Sequence, residues 1–285
     1  MSKIYFLFNL TTIYLFNASF VTFLALIFFI SGFEDISIEI SLMQSYIAFI
    51  TLALSSHSRS IIVSDSNMYK LISEFSFRLK ISLLVLLSVI IFFYSFINEE
   101  NFSLILCISL LLLLQWIFEL NIAKAEIKRD KKFIFKNGTY IFIFILTFLV
   151  FFILEYFQNY KYLIYIILIY ISYQILKNSL LTLFAKNKIK DKLYNSFKEL
   201  SVISSSSLFF VNFLWKLIII FWFGKIFAAT IFVIFSLSSF ISTAYNNSFG
   251  YTFLKNKQRF FGLFTFYILI IVFLIYKINF FLFYI

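Results

Sequence analysis

The chain has 285 residues, of which 62% are apolar and 13% charged, with 45 phenylalanines, no proline and a formal net charge of +11. Soluble domains are about 45–50% apolar and 25% charged, so this composition excludes a soluble globular domain and indicates an integral membrane protein. One cysteine (Cys107) and one histidine (His57) exclude an intrachain disulfide, a cysteine-rich metal cluster and a multi-histidine site, and we predict neither metal nor cofactor.

Apolar runs long enough to cross a bilayer recur along the chain, separated by clusters of charge. A helix needs about 20 apolar residues to cross a hydrocarbon core of about 30 Å. The sequence therefore predicts an all-α polytopic membrane protein with about nine transmembrane helices. The predicted spans are residues 13–31, 38–54, 81–97, 102–120, 139–156, 163–184, 202–223, 226–249 and 260–276.

The loops between these spans are charged asymmetrically. Twenty of the 24 lysines and arginines fall in the N-terminal segment and the second, fourth, sixth and eighth loops, whereas the other side carries four cations and six acids. By the positive-inside rule this places the N-terminus in the cytoplasm and the C-terminus outside. The longest predicted loops, residues 55–80 and 121–138, are cytoplasmic. Because these cations are distributed over four juxtamembrane loops, and form no aromatic-interleaved stripe of the sort that a nucleic-acid groove requires, we expect membrane lipids and no nucleic acid as their partners.

A weak internal repeat relates the first two predicted helices to the seventh and eighth. Residues 28–32 and 49–53 read FFISG and FITLA, and residues 221–224 and 240–244 read FWFG and FISTA. FISTA begins 191 residues after FITLA, and Gly224 lies 192 residues after Gly32. Many transporters consist of two halves related in this way. The repeat predicts a six-helix bundle over residues 1–190 and a partial, three-helix bundle over residues 191–285.

This layout resembles the polysaccharide flippases, or O-antigen translocases, of the multidrug/oligosaccharidyl-lipid/polysaccharide exporter superfamily. The resemblance lies in a first helix that ends near Gly32, a serine- and arginine-bearing loop over residues 55–60, and a seventh helix with Asn212 and Lys216 before Gly224. In that family an acid often precedes the basic residue of the seventh helix, whereas here Trp215 does. The family usually has two matching halves, so the chain looks short at its C-terminus.

The resemblance implies a transporter of the cell inner membrane and no enzyme activity. Its substrate would be a lipid-linked oligosaccharide, a polyprenyl-diphosphate glycan used in O-antigen, lipopolysaccharide or other polysaccharide synthesis. The two bundles would rock about a cationic lumen in an alternating-access cycle. Glycan-assembly proteins or a second copy of the chain are further partners that this role implies.

Lys216 is the clearest ionisable residue predicted at membrane depth. Placing a lysine at the centre of a transmembrane helix costs about 2.5–3.5 kcal/mol, so such residues are candidate functional sites. A side chain that snorkels to the interface and a cation that faces a cavity are equally compatible with its position. We predict that Lys216, Asn212 and Arg59 contact the substrate headgroup, and that Asn17 adds polar lining.

The eighth predicted helix carries small and polar residues at spacings of three and four, hence on one face. Close helix packing and a hydrated pathway both explain such a face, and packing is the favoured interpretation. The members predicted to line a pathway are Ser239, Thr243 and Asn246.

Acidic residues at membrane depth are scarce. Gln115 and Glu119 share a face of the fourth predicted helix. Glu119 lies near the cytoplasmic boundary, which favours an ion pair over a carboxylate that couples transport to an ion. No mid-membrane acid stands out in the sequence.

Two other interpretations remain open from the sequence. One is an integral membrane enzyme of envelope glycan synthesis, such as a polymerase or an acyl or glycosyl transferase. Such enzymes need a catalytic acid or base at a membrane face and usually a sizeable loop outside the membrane. The other is a truncated, inactive or partner-dependent flippase homologue.

Overall fold

A computed structural model of the chain describes residues 3–55, 62–63, 68–93, 99–128, 130–153, 160–179 and 200–235. These residues are almost entirely helical, and they contain no β-strand. The principal helices are α1 (Lys3–Ile30), α2 (Glu34–Ser55), α3 (Met68–Phe93), α4 (Glu99–Lys128), α5 (Lys131–Ile153), α6 (Tyr160–Ser179), α7 (Leu200–Phe223) and α8 (Lys225–Phe235).

The described part of each of the first seven predicted spans falls on one of these helices, but several helices are longer than their apolar runs. Helix α3 begins at Met68, α4 continues to Lys128, and α5 begins at Lys131. Much of the sequence predicted as the loops 55–80 and 121–138 is therefore helical. Charged residues such as Glu, Lys and Arg are good helix formers, so a helix does not stop where the apolar run stops. The ninth predicted span lies outside the described residues.

Two glycines with the same backbone conformation terminate α1 and α7. Gly32 and Gly224 both have φ of 81°, a left-handed conformation that side chains with a Cβ rarely adopt. At the end of α1 the amide of Phe33 donates to the carbonyl of Phe28 at 2.9 Å, and Gly32 donates to Phe29 at 3.1 Å. These are the two bonds of a Schellman cap.

Each of the two glycines is followed by a helix that folds back on its predecessor. Ser37 on α2 donates to the carbonyl of Ala25 on α1 at 2.8 Å, and the rings of Trp215 and Phe232 join α7 to α8 with centroids 5.5 Å apart. The two predicted repeat positions therefore both close a helical hairpin.

Helices α2 and α4 lie at the centre of the described bundle. Helix α2 packs against α1, α4 and α7, and α4 packs against α2, α3 and α6, while α5 packs against α1. The shared core is aliphatic and aromatic, with Leu24, Ile40, Ile108, Leu111 and Phe118 among its fully buried side chains.

Within the described residues three helices are long and apolar enough to cross a membrane: Glu34–Ser55, Tyr69–Phe93 and Asn101–Lys128. Shorter apolar helices cover Ser19–Ile30, Ile164–Ile175, Ser207–Phe223 and Lys225–Phe235. Large apolar side chains are also exposed along one face of α3, at Leu83, Leu84, Leu87 and Ile91. An all-helical fold with exposed apolar faces fits a membrane protein, because these faces then contact acyl chains instead of water.

Candidate functional site: two buried cations

The first candidate site is centred on Lys216, which α7 directs into its contacts with α2 and α8. Only 5% of this side chain is exposed. Its Nζ donates a hydrogen bond to the carbonyl oxygen of Ser41 on α2 at 3.1 Å, and it lies 5.2 Å from the ring centre of Phe232 on α8. An ammonium group enclosed in this way does not reach the surface, which does not fit the snorkelling interpretation.

The partners of Lys216 are dipoles and an aromatic face. The carbonyl of Ser41 also accepts the hydroxyl of Ser45 at 3.0 Å, so the donors converge on one oxygen. Among the described residues no carboxylate lies within 4.0 Å of the Lys216 Nζ. A buried charge without a counterion is costly. A cation in such an environment would be stabilised by a bound anion.

Asn212 lies one turn before Lys216 and orients an aromatic neighbour of the lysine. Its Oδ1 accepts a hydrogen bond from Trp215 Nε1 at 2.7 Å. The Trp215 ring packs edge-on against Phe232 and Phe235 of α8, with centroids 5.5 and 5.2 Å away. Asn212 and Lys216 therefore both belong to the packing of α7 on its neighbours.

Asn17 lies on α1, and its surroundings differ from those of Lys216. Its Oδ1 is buried and has no hydrogen-bond partner within the part of the chain that the structure describes. Five residues further on, Thr22 exchanges hydrogen bonds with Gln44 of α2 at 2.8 and 3.2 Å. Asn17 therefore adds a polar atom to α1, and no hydrogen bond joins it to Lys216.

The other predicted site residues cannot be compared with this geometry. Arg59, Ser239, Thr243 and Asn246 lie outside the described residues. Their assignment to the substrate pathway stays a prediction.

The second candidate site is an ion-pair cluster around Arg78, where α3 meets α4. The Arg78 Nε donates to Glu74 Oε1 at 3.1 Å, and one terminal nitrogen donates to Glu119 Oε2 at 2.9 Å. The same nitrogen donates to the carbonyl oxygen of Trp116, and the guanidinium carbon lies 4.9 Å from the centre of the Trp116 ring. Arg78 is 1% exposed.

Sequence reasoning placed Arg78 among the loop cations and missed this cluster. The available signal was the spacing of Glu74 and Arg78, four residues apart and so neighbours on one helix face. The interpretation of Glu119 as a member of an ion pair is confirmed, with Arg78 as its partner. Gln115, one turn before Glu119, instead donates to the carbonyl of Phe16 on α1 at 3.3 Å.

Three polar atoms of α3 and α4 that are near this cluster in sequence are buried and have no hydrogen-bond partner within the described part of the chain. They are the Ser76 hydroxyl, the Trp116 indole nitrogen and the Asn121 amide nitrogen. Buried polar groups are normally satisfied by protein or by ordered water. The charges of the cluster are therefore paired, whereas these three polar atoms have no hydrogen-bond partner among the described residues.

Glu39 is a buried acid that sequence reasoning assigned to the acidic side of the membrane. In the structure it is 5% exposed, and its Oε2 accepts a hydrogen bond from Asn101 Nδ2 of α4 at 3.2 Å. Its position on α2, two residues before Ser41, turns it toward α4 while Ser41 meets α7. The polar residues of α2 thus reach two different neighbours.

The chain matches no protein-family model, no curated protein sequence and no solved structure. The resemblance to polysaccharide flippases stays a prediction.

Proposed function

We propose that the protein is a multi-pass transporter of the bacterial inner membrane that moves a lipid-linked oligosaccharide by alternating access. The cargo is a polyprenyl-diphosphate glycan destined for O-antigen or another surface polysaccharide. About nine spans, with the N-terminus in the cytoplasm, are part of this proposal. It includes no catalytic step.

One observation carries the proposal: Lys216 is a cation buried in an apolar helix, with a carbonyl and an aromatic ring as its contacts. A diphosphate is a compact dianionic group, and an ammonium ion without a carboxylate partner is able to pair with it. The lipid tail of such a substrate would stay in the bilayer while its headgroup meets the cation.

In the described conformation α2 and α8 enclose Lys216. Exposure of its Nζ therefore requires α2 to separate from α7, or α8 to move. The contacts that would open include Tyr46 with Phe213 and Phe49 with Phe210, whose ring centroids are 5.6 and 5.2 Å apart. The α2–α7 interface is thus the proposed moving surface of the cycle, with the cation at its centre.

The test is export in cells that carry Lys216→Ala in place of the wild-type protein. We expect undecaprenyl-linked oligosaccharide to accumulate on the cytoplasmic face and surface glycan to be lost, because the headgroup has no cation to meet. Lys225→Ala is the matched control, since Lys225 is a half-exposed lysine nine residues further on that lies 3.7 Å from Asp35. It should leave export unchanged.

Normal export by Lys216→Ala at normal protein level would overturn the role of this lysine. Unchanged lipid-linked intermediates after depletion of the whole protein, together with an altered glycan linkage, would replace the transporter by an enzyme of glycan synthesis. A C-terminal tag found in the cytoplasm would contradict the nine-span topology.

A further inference from the structure

One exposed face of α5 changes in character along its length. Its members, which we call the α5 stripe, lie at spacings of one, three or four residues and therefore on one side of the helix. Lysines alternate with aromatic rings at its start, and aliphatic side chains end the series over a rise of about 21 Å. The α5 stripe consists of Lys132, Phe135, Lys136, Tyr140, Ile143 and Leu146.

The aliphatic end of the α5 stripe indicates contact with acyl chains. Ile143 and Leu146 are 53% and 46% exposed, an arrangement that water disfavours and that lipid tails accept. Tyr140 lies one turn closer to the lysines, at the position that tyrosines occupy between hydrocarbon and headgroups. Lys132 and Lys136 then fall at the depth of lipid phosphates.

Tyr140 is held in place by a neighbouring helix. The ring of Tyr170 on α6 packs edge-on against it with centroids 6.1 Å apart. Tyr170 is itself tethered, because its hydroxyl donates to Asn137 Oδ1 at 2.5 Å and Asn137 donates to the carbonyl of Phe133 at 2.7 Å. The Nζ of Lys136 lies 5.7 Å from the centre of the Tyr140 ring. The aromatic ring thus supports an ammonium group directed to the outside of the bundle.

The lysines of this region have no acidic partner among the described residues. Lys128, Lys131, Lys132 and Lys136 are exposed, and none has a carboxylate within 4.0 Å in the part of the chain that is described. The nearby Asp130 accepts a hydrogen bond from the amide of Phe133 at 3.0 Å and so caps the start of α5. The surface therefore offers positive charge to an external anion.

We propose that the α5 stripe is a binding site for an anionic phospholipid. The phosphodiester lies between the ammonium groups of Lys132 and Lys136, the glycerol region lies against Tyr140, and an acyl chain follows Ile143 and Leu146. A headgroup with a net negative charge is selected, because the amine of a zwitterionic headgroup would meet two lysines. This site is separate from Lys216, which packs between α2 and α8 while α5 packs against α1.

The experiment uses the full-length protein, purified in detergent and incubated with mixed micelles of phosphatidylglycerol and phosphatidylcholine. Native mass spectrometry counts the lipids of each kind that remain bound. We expect the wild-type protein to retain phosphatidylglycerol, and Lys132→Gln/Lys136→Gln to lose affinity by about fivefold for each lysine removed. Glutamine is a good helix former, and thermal unfolding of the variant verifies that it folds.

The matched control is Lys70→Gln/Lys80→Gln. These lysines are also exposed, and they lie on the N-terminal part of α3, at the same end of the bundle as the start of α5. The control removes the same charge and should retain phosphatidylglycerol as the wild-type protein does. Lys132→Arg/Lys136→Arg keeps both charges and should retain the lipid as well.

Three results would overturn the proposal. Equal retention of the two lipids by the wild-type protein would show that the headgroup is not selected. Equal losses in the α3 and α5 variants would show a general attraction to positive charge instead of a site. Displacement of the lipid by inorganic phosphate at matched ionic strength would show a site for free phosphate that does not use the acyl contacts. None of these results depends on whether the protein is a transporter or on the role of Lys216.

Discussion

Two deeply buried cations, Arg78 and Lys216, have opposite electrostatic surroundings in the part of the chain that the structure describes. Arg78 lies between two carboxylates, a carbonyl oxygen and an aromatic face. Lys216 has a carbonyl oxygen and an aromatic face but no carboxylate among the described residues. Carboxylates of the protein itself neutralise Arg78. The charge of Lys216 has no such counterion among the described residues, and an anionic ligand would neutralise it.

The chemistry of the two side chains fits this difference. A guanidinium group presents several donors in a fixed plane and suits a permanent network that joins two helices. An ammonium group is a compact charge on a flexible stem and exchanges partners more readily. We therefore interpret Arg78 as the residue that fixes α3 to α4, whereas Lys216 is the residue that would bind the substrate headgroup in the proposed function.

Arg78→Leu should cause the largest loss in the free energy of unfolding. The change leaves Glu74 buried beside Glu119 without their shared cation, and removal of one partner from a buried ion pair costs about 3–5 kcal/mol. Reversible unfolding in detergent micelles, followed by circular dichroism, should show this loss in the free energy of unfolding. Arg78→Lys should lose less because one charge remains. Full stability together with loss of export would reverse the roles that we assign to the two cations.

Lys216→Met tests the opposite expectation. The variant removes a desolvated charge that has no carboxylate partner among the described residues, so the free energy of unfolding should stay the same or rise, by up to about 3 kcal/mol. The same unfolding experiment measures it, and the export assay should show loss of transport. A large fall in stability would make Lys216 a structural residue like Arg78 and would remove the main support for the proposed site.

Gly138→Ala tests the helix packing by a change that involves neither buried cation. A Cβ at Gly138 would lie 2.5 Å from the Cβ of Asn9 on α1, so α1 and α5 would have to move apart. Overpacking of this kind costs about 1–3 kcal/mol. Unfolding experiments should show the loss, while export per folded molecule should stay normal because neither cation is touched. Normal stability would show that this close approach relaxes without cost.

Asn212→Leu should cause the smallest change in the free energy of unfolding and in export. It removes the acceptor for Trp215 Nε1, and a hydrogen bond of this type contributes about 0.5–1.5 kcal/mol. If Asn212 only orients Trp215, export should fall slightly and in proportion to the amount of folded protein. Complete loss of export with normal protein level would support the prediction that Asn212 contacts the substrate headgroup.

Local patterns were enough to predict most of the helices. Apolar runs of about 20 residues indicate membrane helices, and Gly32 and Gly224 mark helix ends because both adopt a positive φ. The boundaries of α3, α4 and α5 were not predictable in this way. Charged segments continue these helices because Glu, Lys and Arg are good helix formers, and the end of an apolar run does not report this.

The candidate site was predicted in part. Lys216 stands out as a lysine within an apolar run, but no sequence pattern points to Ser41, whose carbonyl oxygen accepts the hydrogen bond of Lys216 from 175 positions away. The sequence counts Arg78 among the cytoplasmic loop cations and Glu39, at the start of the second predicted span, among the acids of the outer side, because local polarity does not report burial. Both side chains are buried by helices that are distant in the chain.

The sequence by itself determined that this chain is helical and too apolar for water, because composition and periodicity act within one or two helical turns. It also predicted an orientation from the distribution of lysine and arginine. Only the tertiary structure decided which charges are neutralised, because a counterion is supplied by whichever helix packs alongside. That pairing separates Arg78, held by Glu74 and Glu119, from Lys216, which meets no carboxylate among the described residues.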